Sequence, residues 1–165
     1  FTEFGSFTVG ESMAHIYSVL AEKIQNDREI WYMIDSSFII TLPDTWGIGE
    51  KFLLLPINKW NNEYQRVVLG GITCDSHDYY DSEEHINEVF LPKTKGENPK
   101  EPLYLGFFHT GAYQDQISGY GGIKHCMIPS PQHIIIGRDK NGKLVDWVYA
   151  KEQTAQSMLK ILGYI

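Results

Sequence analysis

Cysteine is scarce in this chain: Cys74 and Cys126 are the only two among 165 residues. Two thiols cannot build a disulfide framework, and they suit a reducing compartment, so a cytoplasmic protein is expected. No apolar run approaches the ~20 residues that a membrane helix requires. The opening Phe1-Thr2-Glu3-Phe4-Gly5 also lacks the charged start and apolar centre of a signal peptide. Basic clusters are missing as well. Fourteen Lys and Arg stand against 21 Asp and Glu, a net charge of -7, which argues against a nucleic-acid partner. There is no internal repeat, no low-complexity tract and no initiating methionine. Phe1, Phe4, Phe7 and Val9 fall within the first nine residues, a texture of folded sequence, and the chain is expected to be a piece of a longer protein.

What is present is apolar and aromatic: 42% of residues are hydrophobic and 13% aromatic, enough for one domain to bury a core without staples. From Gly10 to Asn26 the residues Met13, Ile16, Tyr17, Leu20 and Ile24 form a stripe that predicts a helix. Beyond Ile30 the pattern turns to short aromatic and β-branched runs between turn residues. These are Ile30–Ile34, Phe38-Ile39-Ile40, Phe52–Leu55, Arg66–Leu69, Ile72-Thr73, Tyr104–Phe108 and Ile134–Ile136, the spacing of an antiparallel sandwich or barrel. Asp139-Lys140-Asn141-Gly142 reads as a hairpin turn. Lys93 to Pro102 reads as a polar loop. Ala155, Met158, Leu159 and Leu162 share one helical face, with Gly163 as the stop.

Three groups could carry chemistry. The densest is Gly70 to Tyr80, where a strand runs into a loop bearing Cys74, Asp75, Ser76, His77 and Asp78. Such junctions concentrate function because a rigid scaffold aims the tip; equally, Asp and Ser are turn formers and Cys packs as a small hydrophobe. A Cys–His nucleophile would pair Cys74 with His77, His109 or His125. A metal site is not expected. The six histidines (His15, His77, His85, His109, His125, His133) are scattered, and His125 and Cys126 would face opposite ways in a strand. The second group is His109-Thr110-Gly111-Ala112-Tyr113-Gln114, continuing to Ser118-Gly119-Tyr120, where Tyr113 could donate to a phosphate. The third is Glu3-Phe4-Gly5-Ser6.

In this order, Thr73-Cys74-Asp75-Ser76 and Leu105-Gly106-Phe107-Phe108 leading to Gly111-Ala112-Tyr113-Gln114 resemble the C-terminal domain of the pyridoxal-phosphate decarboxylases of alanine-racemase-like fold. With Leu42-Pro43-Asp44-Thr45-Trp46-Gly47-Ile48 and Leu53-Leu54-Leu55-Pro56, the chain is most similar to the biosynthetic arginine decarboxylases. The resemblance covers roughly residues 1–137 and replaces the helix at 14–24 by a strand, with a helical turn near 6–12. It implies a mainly β domain, an antiparallel β-barrel or sandwich with a C-terminal helix, lacking its N-terminal (β/α)8 barrel. Residues 1–12 would be the end of that barrel and residues 13–165 the β domain.

The resemblance also implies roles. Glu3 would face the pyridine nitrogen of pyridoxal 5′-phosphate. Gly5 would lend an N–H to the phosphate, with Ser6 in place of the family's Arg and Phe4 in place of its Pro. Tyr113 would contact the same phosphate. Cys74 would protonate Cα of the substrate, and Asp75 would contact substrate, both across a homodimer interface. Asp35, or alternatively Asp44, would receive the distal cation of a basic amino acid, arginine above all. The cofactor would be held mainly by a lysine of the missing barrel, with Mg²⁺ as a further candidate, and without that barrel this piece would be inactive. Two other readings use the same residues: a non-catalytic module for dimerisation, regulation or ligand binding derived from that family, and a free-standing β-rich binding module or thiol enzyme.

Overall fold

A computed structural model describes residues 1–80, 89–96, 98–114 and 121–165. His85 and the Ser118-Gly119-Tyr120 stretch lie outside the described residues. The chain divides into two compact units, Phe1–Ile117 and Ser118–Ile165.

The first unit opens with α1 (Gly5–Val9) and a 3-10 turn (Gly10–Ser12), followed by β1 (Ala14–Asn26) and β2 (Glu29–Ile34). Two short helices follow, α2 (Phe38–Thr41) and α3 (Pro43–Ile48). The rest is β3 (Leu53–Pro56), β4 (Tyr64–Gly70), β5 (Tyr79–Tyr80), β6 (Val89–Pro92) and β7 (Tyr104–Phe108). The strands form one seven-stranded sheet in the order β3-β7-β1-β2-β4-β5, with β6 also on β4. The unit is strand-rich, as expected.

The helical stripe at Gly10–Asn26 is corrected by β1. His15, Tyr17 and Val19 point inward at 8%, 3% and 6% exposure, whereas Ile16, Leu20 and Ile24 stand outside at 53%, 60% and 69%. Apolar residues four apart satisfy a period of 2 as well as one of 3.6, so Ile16, Leu20 and Ile24 carried no choice between the two. The strand at 14–24 and the helical turn near 6–12 are as the resemblance implies.

Three further readings are corrected. Phe38-Ile39-Ile40 is the short helix α2, because the Ser37 side chain accepts the Ile40 N–H at 3.4 Å and the Asp78 carboxylate accepts the Phe38 N–H at 2.8 Å. Together these satisfy donors that a strand would have to pair in a ladder. Ile72-Thr73 is loop, with Ile72 N–H donating to Ser36 O at 3.0 Å. Nor is the sheet wholly antiparallel: β2 and β4 pair in parallel through Trp31–Val68, Tyr32–Leu69 and Met33–Gly70. The segment between them carries α2, α3 and β3, ample length for the crossover that parallel neighbours require.

The core lies on one face of this sheet. Phe107 sits 4.9 Å from the Tyr80 ring, 5.7 Å from Tyr17 and 5.7 Å from Phe38, in the edge-to-face arrangement that aromatic quadrupoles favour. Tyr32, Ile34, Leu42, Leu69 and Leu105 complete it without exposure. The buried phenol of Tyr17 meets Thr41 Oγ1 at 2.6 Å, which fixes α2 against β1.

The second unit contains β8 (His133–Arg138), β9 (Leu144–Ala150) and α4 (Ala155–Ile161). β8 and β9 form the expected hairpin. Asp139 Oδ1 accepts the N–H groups of Asn141 at 2.8 Å and Lys143 at 3.0 Å, and Gly142 takes φ 79°. Thr154 caps α4 by accepting the Ser157 N–H at 3.2 Å. Gly163 ends the helix at φ 79°, the left-handed conformation that glycine adopts at no steric cost. His125 and Cys126 lie in a 3-10 turn, His125–Met127, so they do not face opposite ways: Nε2 and Sγ are 3.4 Å apart. Among the described residues no helix is long and apolar enough to cross a membrane.

Candidate active site

The loop from His109 to Gln114 leaves β7 and folds back on the first turns of the chain. Thr110 N–H donates to Met13 O at 3.0 Å and Gly111 N–H to Gly10 O at 2.9 Å. Beneath the loop, buried Thr110 Oγ1 meets His15 Nδ1 at 2.9 Å. The approach at Gly111 leaves no room for a side chain, since a Cβ there would stand 1.8 Å from Val9 O. His109 and Tyr113 take φ of 67° and 65°, sparsely populated values for residues with a Cβ.

Gln114 holds the far end of the loop. It is buried, and its Nε2 donates to Asp44 Oδ2 at 2.8 Å and to Ala112 O at 2.9 Å. Its Oε1 accepts the Asp44 N–H at 3.3 Å. These bonds tie the Tyr113 loop to the first turn of α3 and leave the Tyr113 side chain outside, 62% exposed. A Cβ placed on Gly5 would lie 3.8 Å from Tyr113 Oη, so residues 108 positions apart come together. Tyr113 also lines a cleft of about 730 Å³, together with Ser6, Glu11, Asp44, Glu50 and His109. Among the described lining residues there is no Lys or Arg.

The Cys74 loop is a second, separately built feature. Its neck closes where Gly71 N–H donates to Asp78 O at 2.8 Å. Inside, the Asp78 carboxylate accepts Thr73 N–H at 3.1 Å and Thr73 Oγ–H at 2.6 Å. At the tip, Asp75 Oδ1 accepts the His77 N–H at 2.8 Å. Cys74 is exposed and in no disulfide, while Asp75 is half-buried.

The residues singled out from the sequence therefore fall into two sets. Gly5 lies close to the Tyr113 phenol oxygen, and Tyr113 and Asp44 line the cleft. Cys74, Asp75 and Asp35 lie off its lining, joined to one another through Ile72 N–H and Ser36 O at 3.0 Å. Asp35 is exposed, and its carboxylate accepts Ser18 N–H at 3.0 Å and Ser18 Oγ–H at 2.7 Å. Glu3 is exposed just ahead of α1. Sequence reasoning missed the work of Asp78 and Gln114. Both stand within the quoted clusters, but their burial and partners are decided by residues 40 and 70 positions away.

No protein-family model matches the chain. It is 32% identical over 150 residues to the biosynthetic arginine decarboxylase of Marinobacter nauticus, covering 88% of this chain and 21% of that protein. It is 27% identical over 161 residues to that of Deinococcus radiodurans, covering 97% and 22%. The chain thus spans about a fifth of the length of the curated relatives it matches. Among solved structures, diaminopimelate decarboxylase from Helicobacter pylori complexed with L-lysine aligns with a TM-score of 0.70 at 16% identity, over 96% of this chain and 34% of that one. In sequence the chain is similar to part of these biosynthetic arginine decarboxylases, and in fold it matches part of the diaminopimelate decarboxylase structure.

Proposed function

We propose that this domain completes the active site of a pyridoxal-phosphate-dependent decarboxylase that converts L-arginine to agmatine and CO₂. The observation that carries the reading is the meeting of Gly5 with Tyr113, 3.8 Å from an ideal Cβ to the phenol oxygen, next to Ser6, which lines the cleft with Tyr113. A backbone N–H, the Tyr113 O–H and the Ser6 hydroxyl form a donor set suited to a phosphate oxyanion. Glu3 would serve the pyridine nitrogen of the bound cofactor. When bound, the cofactor supplies an electron sink for the pair left at Cα.

The bond from Cα to the substrate carboxylate breaks and CO₂ departs. Cys74 Sγ–H then donates its proton to Cα, where the retained electron pair forms the new C–H bond, and the thiolate regains a proton from solvent. Cys74 and Asp75 serve the site of a second copy in a homodimer, in keeping with their position off this chain's own cleft lining. Asp35 receives the guanidinium, since Ser18 occupies only part of the acceptor capacity of its carboxylate. Asp44 is the alternative, although Gln114 engages one of its oxygens. A lysine outside this chain would hold the cofactor.

A second reading, a non-catalytic dimerisation module, is favoured by Ser6 in place of Arg and by the lack of Lys or Arg among the described cleft residues. The full-length protein, supplied with pyridoxal phosphate, separates them: CO₂ release from arginine exceeding that from ornithine, lysine and diaminopimelate is expected, and no release from any of the four would leave the module. In the active enzyme, Cys74→Ala should divert protonation to the cofactor's C4′ carbon, so that with excess pyridoxal phosphate present the aldehyde forms in place of agmatine and the substrate nitrogen leaves as the amine form of the cofactor. A normal product ratio would remove Cys74 as the acid.

A further inference from the structure

Asp78 is 5% exposed, and no role in the chemistry above uses it. Its carboxylate faces donors alone. Oδ1 accepts the Phe38 N–H at 2.8 Å, and Oδ2 accepts both the Thr73 N–H at 3.1 Å and the Thr73 Oγ–H at 2.6 Å. Its own main chain closes the loop from outside, with Gly71 N–H on Asp78 O at 2.8 Å and Asp78 N–H on Asp75 O at 3.1 Å. The fit is steric as well as polar: a Cβ on Gly71 would come within 2.2 Å of Asp78 Oδ2, so the carboxylate fills the space that glycine leaves.

Thr73 is the residue before Cys74 and is gripped at both its N–H and its hydroxyl. Phe38 begins α2, three residues after Asp35. A single buried carboxylate therefore bridges the strand-end loop that displays the thiol and the turn that displays Asp35, with Ile72 N–H on Ser36 O at 3.0 Å as a parallel tie. A carboxylate suits this place because it only accepts. An amide of the same shape would set an NH₂ against an N–H whichever way it turned.

We propose that Asp78 is the positioning residue of the Cys74 acid: it fixes the thiol in space and locks it to the Asp35 turn, so that the thiol and the Asp35 carboxylate move as one piece. This rests on the reading of Cys74 as the proton donor. A thiol displaced by about 1 Å loses on the order of 10²-fold in rate, and a mispositioned acid lets the competing protonation at C4′ win.

The test uses the full-length enzyme with Asp78→Asn, Thr73→Val and Cys74→Ala. Asp78→Asn should lower kcat on the order of 10²-fold and should raise the aldehyde-to-agmatine ratio towards that of Cys74→Ala. Hydrogen exchange of peptides covering residues 71–79 should speed up while those of β1 and β7 stay as in the parent. Thr73→Val, which keeps the N–H and loses only the hydroxyl, should show the same two signatures more weakly, and it decides the matter if Asp78→Asn does not fold. Normal product ratios and parental exchange at 71–79 in these variants, with Cys74→Ala diverting product as expected, would overturn the assignment of Asp78 alone. A normal ratio in Cys74→Ala would instead overturn the thiol as acid and the positioning role with it.

Discussion

Replacing Gly111 by Ala should separate the two halves of the proposed phosphate site. The new Cβ would stand 1.8 Å from Val9 O, 2.7 Å from Ser12 Oγ and 2.9 Å from Val9 C, where ordinary contact begins at 3.4 Å. Ser12 can rotate, but a main-chain carbonyl in a helical turn cannot. The loop and α1 must part by about 1.6 Å, and the 2.9 Å bond from Gly111 N–H to Gly10 O breaks. Overpacking of this kind costs about 1–3 kcal/mol and the lost bond about 1 kcal/mol. The functional loss should be larger than the structural one: Tyr113 lies two residues on, and a shift of that size at a positioning group costs on the order of 10²-fold. In the full-length enzyme, titration of the apo form with pyridoxal phosphate should show weakened affinity, and kcat/KM for arginine should fall accordingly. Gly47→Ala in α3 is the matched control, because nothing lies within 4 Å of its Cβ and its φ is not positive. It should be neutral or stabilising by about 0.5–1 kcal/mol. If Gly111→Ala binds cofactor and turns over as the parent does, the close approach of Gly111 to Val9 does not shape the site.

Tyr32 gives a pH signature of the core. Its phenol donates to Pro92 O at 3.0 Å and accepts from Gln65 Nε2 at 2.8 Å. Burial, partly offset by the Gln65 bond, pushes its pKa from 10.0 up to about 12. The folded state keeps a proton that the unfolded chain loses above pH 10. Stability from this group is therefore fully present below pH 10 and falls as pH rises towards 12, by on the order of 2 kcal/mol. Urea midpoints of the parent and Tyr32→Phe should favour the parent at pH 8 and lose that difference by pH 12; a constant difference across the range would refute it. For the carboxylates, Asp35→Asn should raise KM for arginine more than it lowers kcat, as expected for a contact made equally in the ground and transition states. An unaltered KM there, with a raised one in Asp44→Asn, moves the guanidinium contact to Asp44.

Elements set by local chemistry were legible in the sequence. The Asp139–Gly142 turn and the α4 stop at Gly163 follow from residues that act on their own backbone. The β-branched and aromatic runs at β2, β4, β7 and β8 needed only a sheet to join. What could not be read was non-local. Ile16, Leu20 and Ile24 fit two periods at once, and only the burial of Tyr17 and Val19 against Phe107 and its neighbours decides between them. Phe38-Ile39-Ile40 has strand composition, yet its first N–H is claimed by a carboxylate forty residues later. The parallel pairing of β2 with β4 joins residues on either side of α2, α3 and β3, and no local signal marks it. At the site, the motif residues were visible, but not which of them face water and which hold the others.

That division follows a common plan in the two loops. In each, a glycine leaves a space that a main-chain or carboxylate oxygen fills: Val9 O at Gly111 and Asp78 Oδ2 at Gly71. In each, a buried polar side chain closes the far end, Gln114 at 2% exposure and Asp78 at 5%, each with at least three hydrogen bonds. The exposed member, Tyr113 or Cys74, sits between the two and is fixed by the residues on either side. A side chain that must act on a ligand has to remain open to it, so its orientation can come only from neighbours that are themselves buried and fully bonded. The rigidity of a reactive group is thereby written into residues with no reactivity of their own. Conservative changes at Gly71, Asp78, Gly111 and Gln114 should therefore impair the part proposed for this domain in catalysis more than their distance from any reacting atom would suggest.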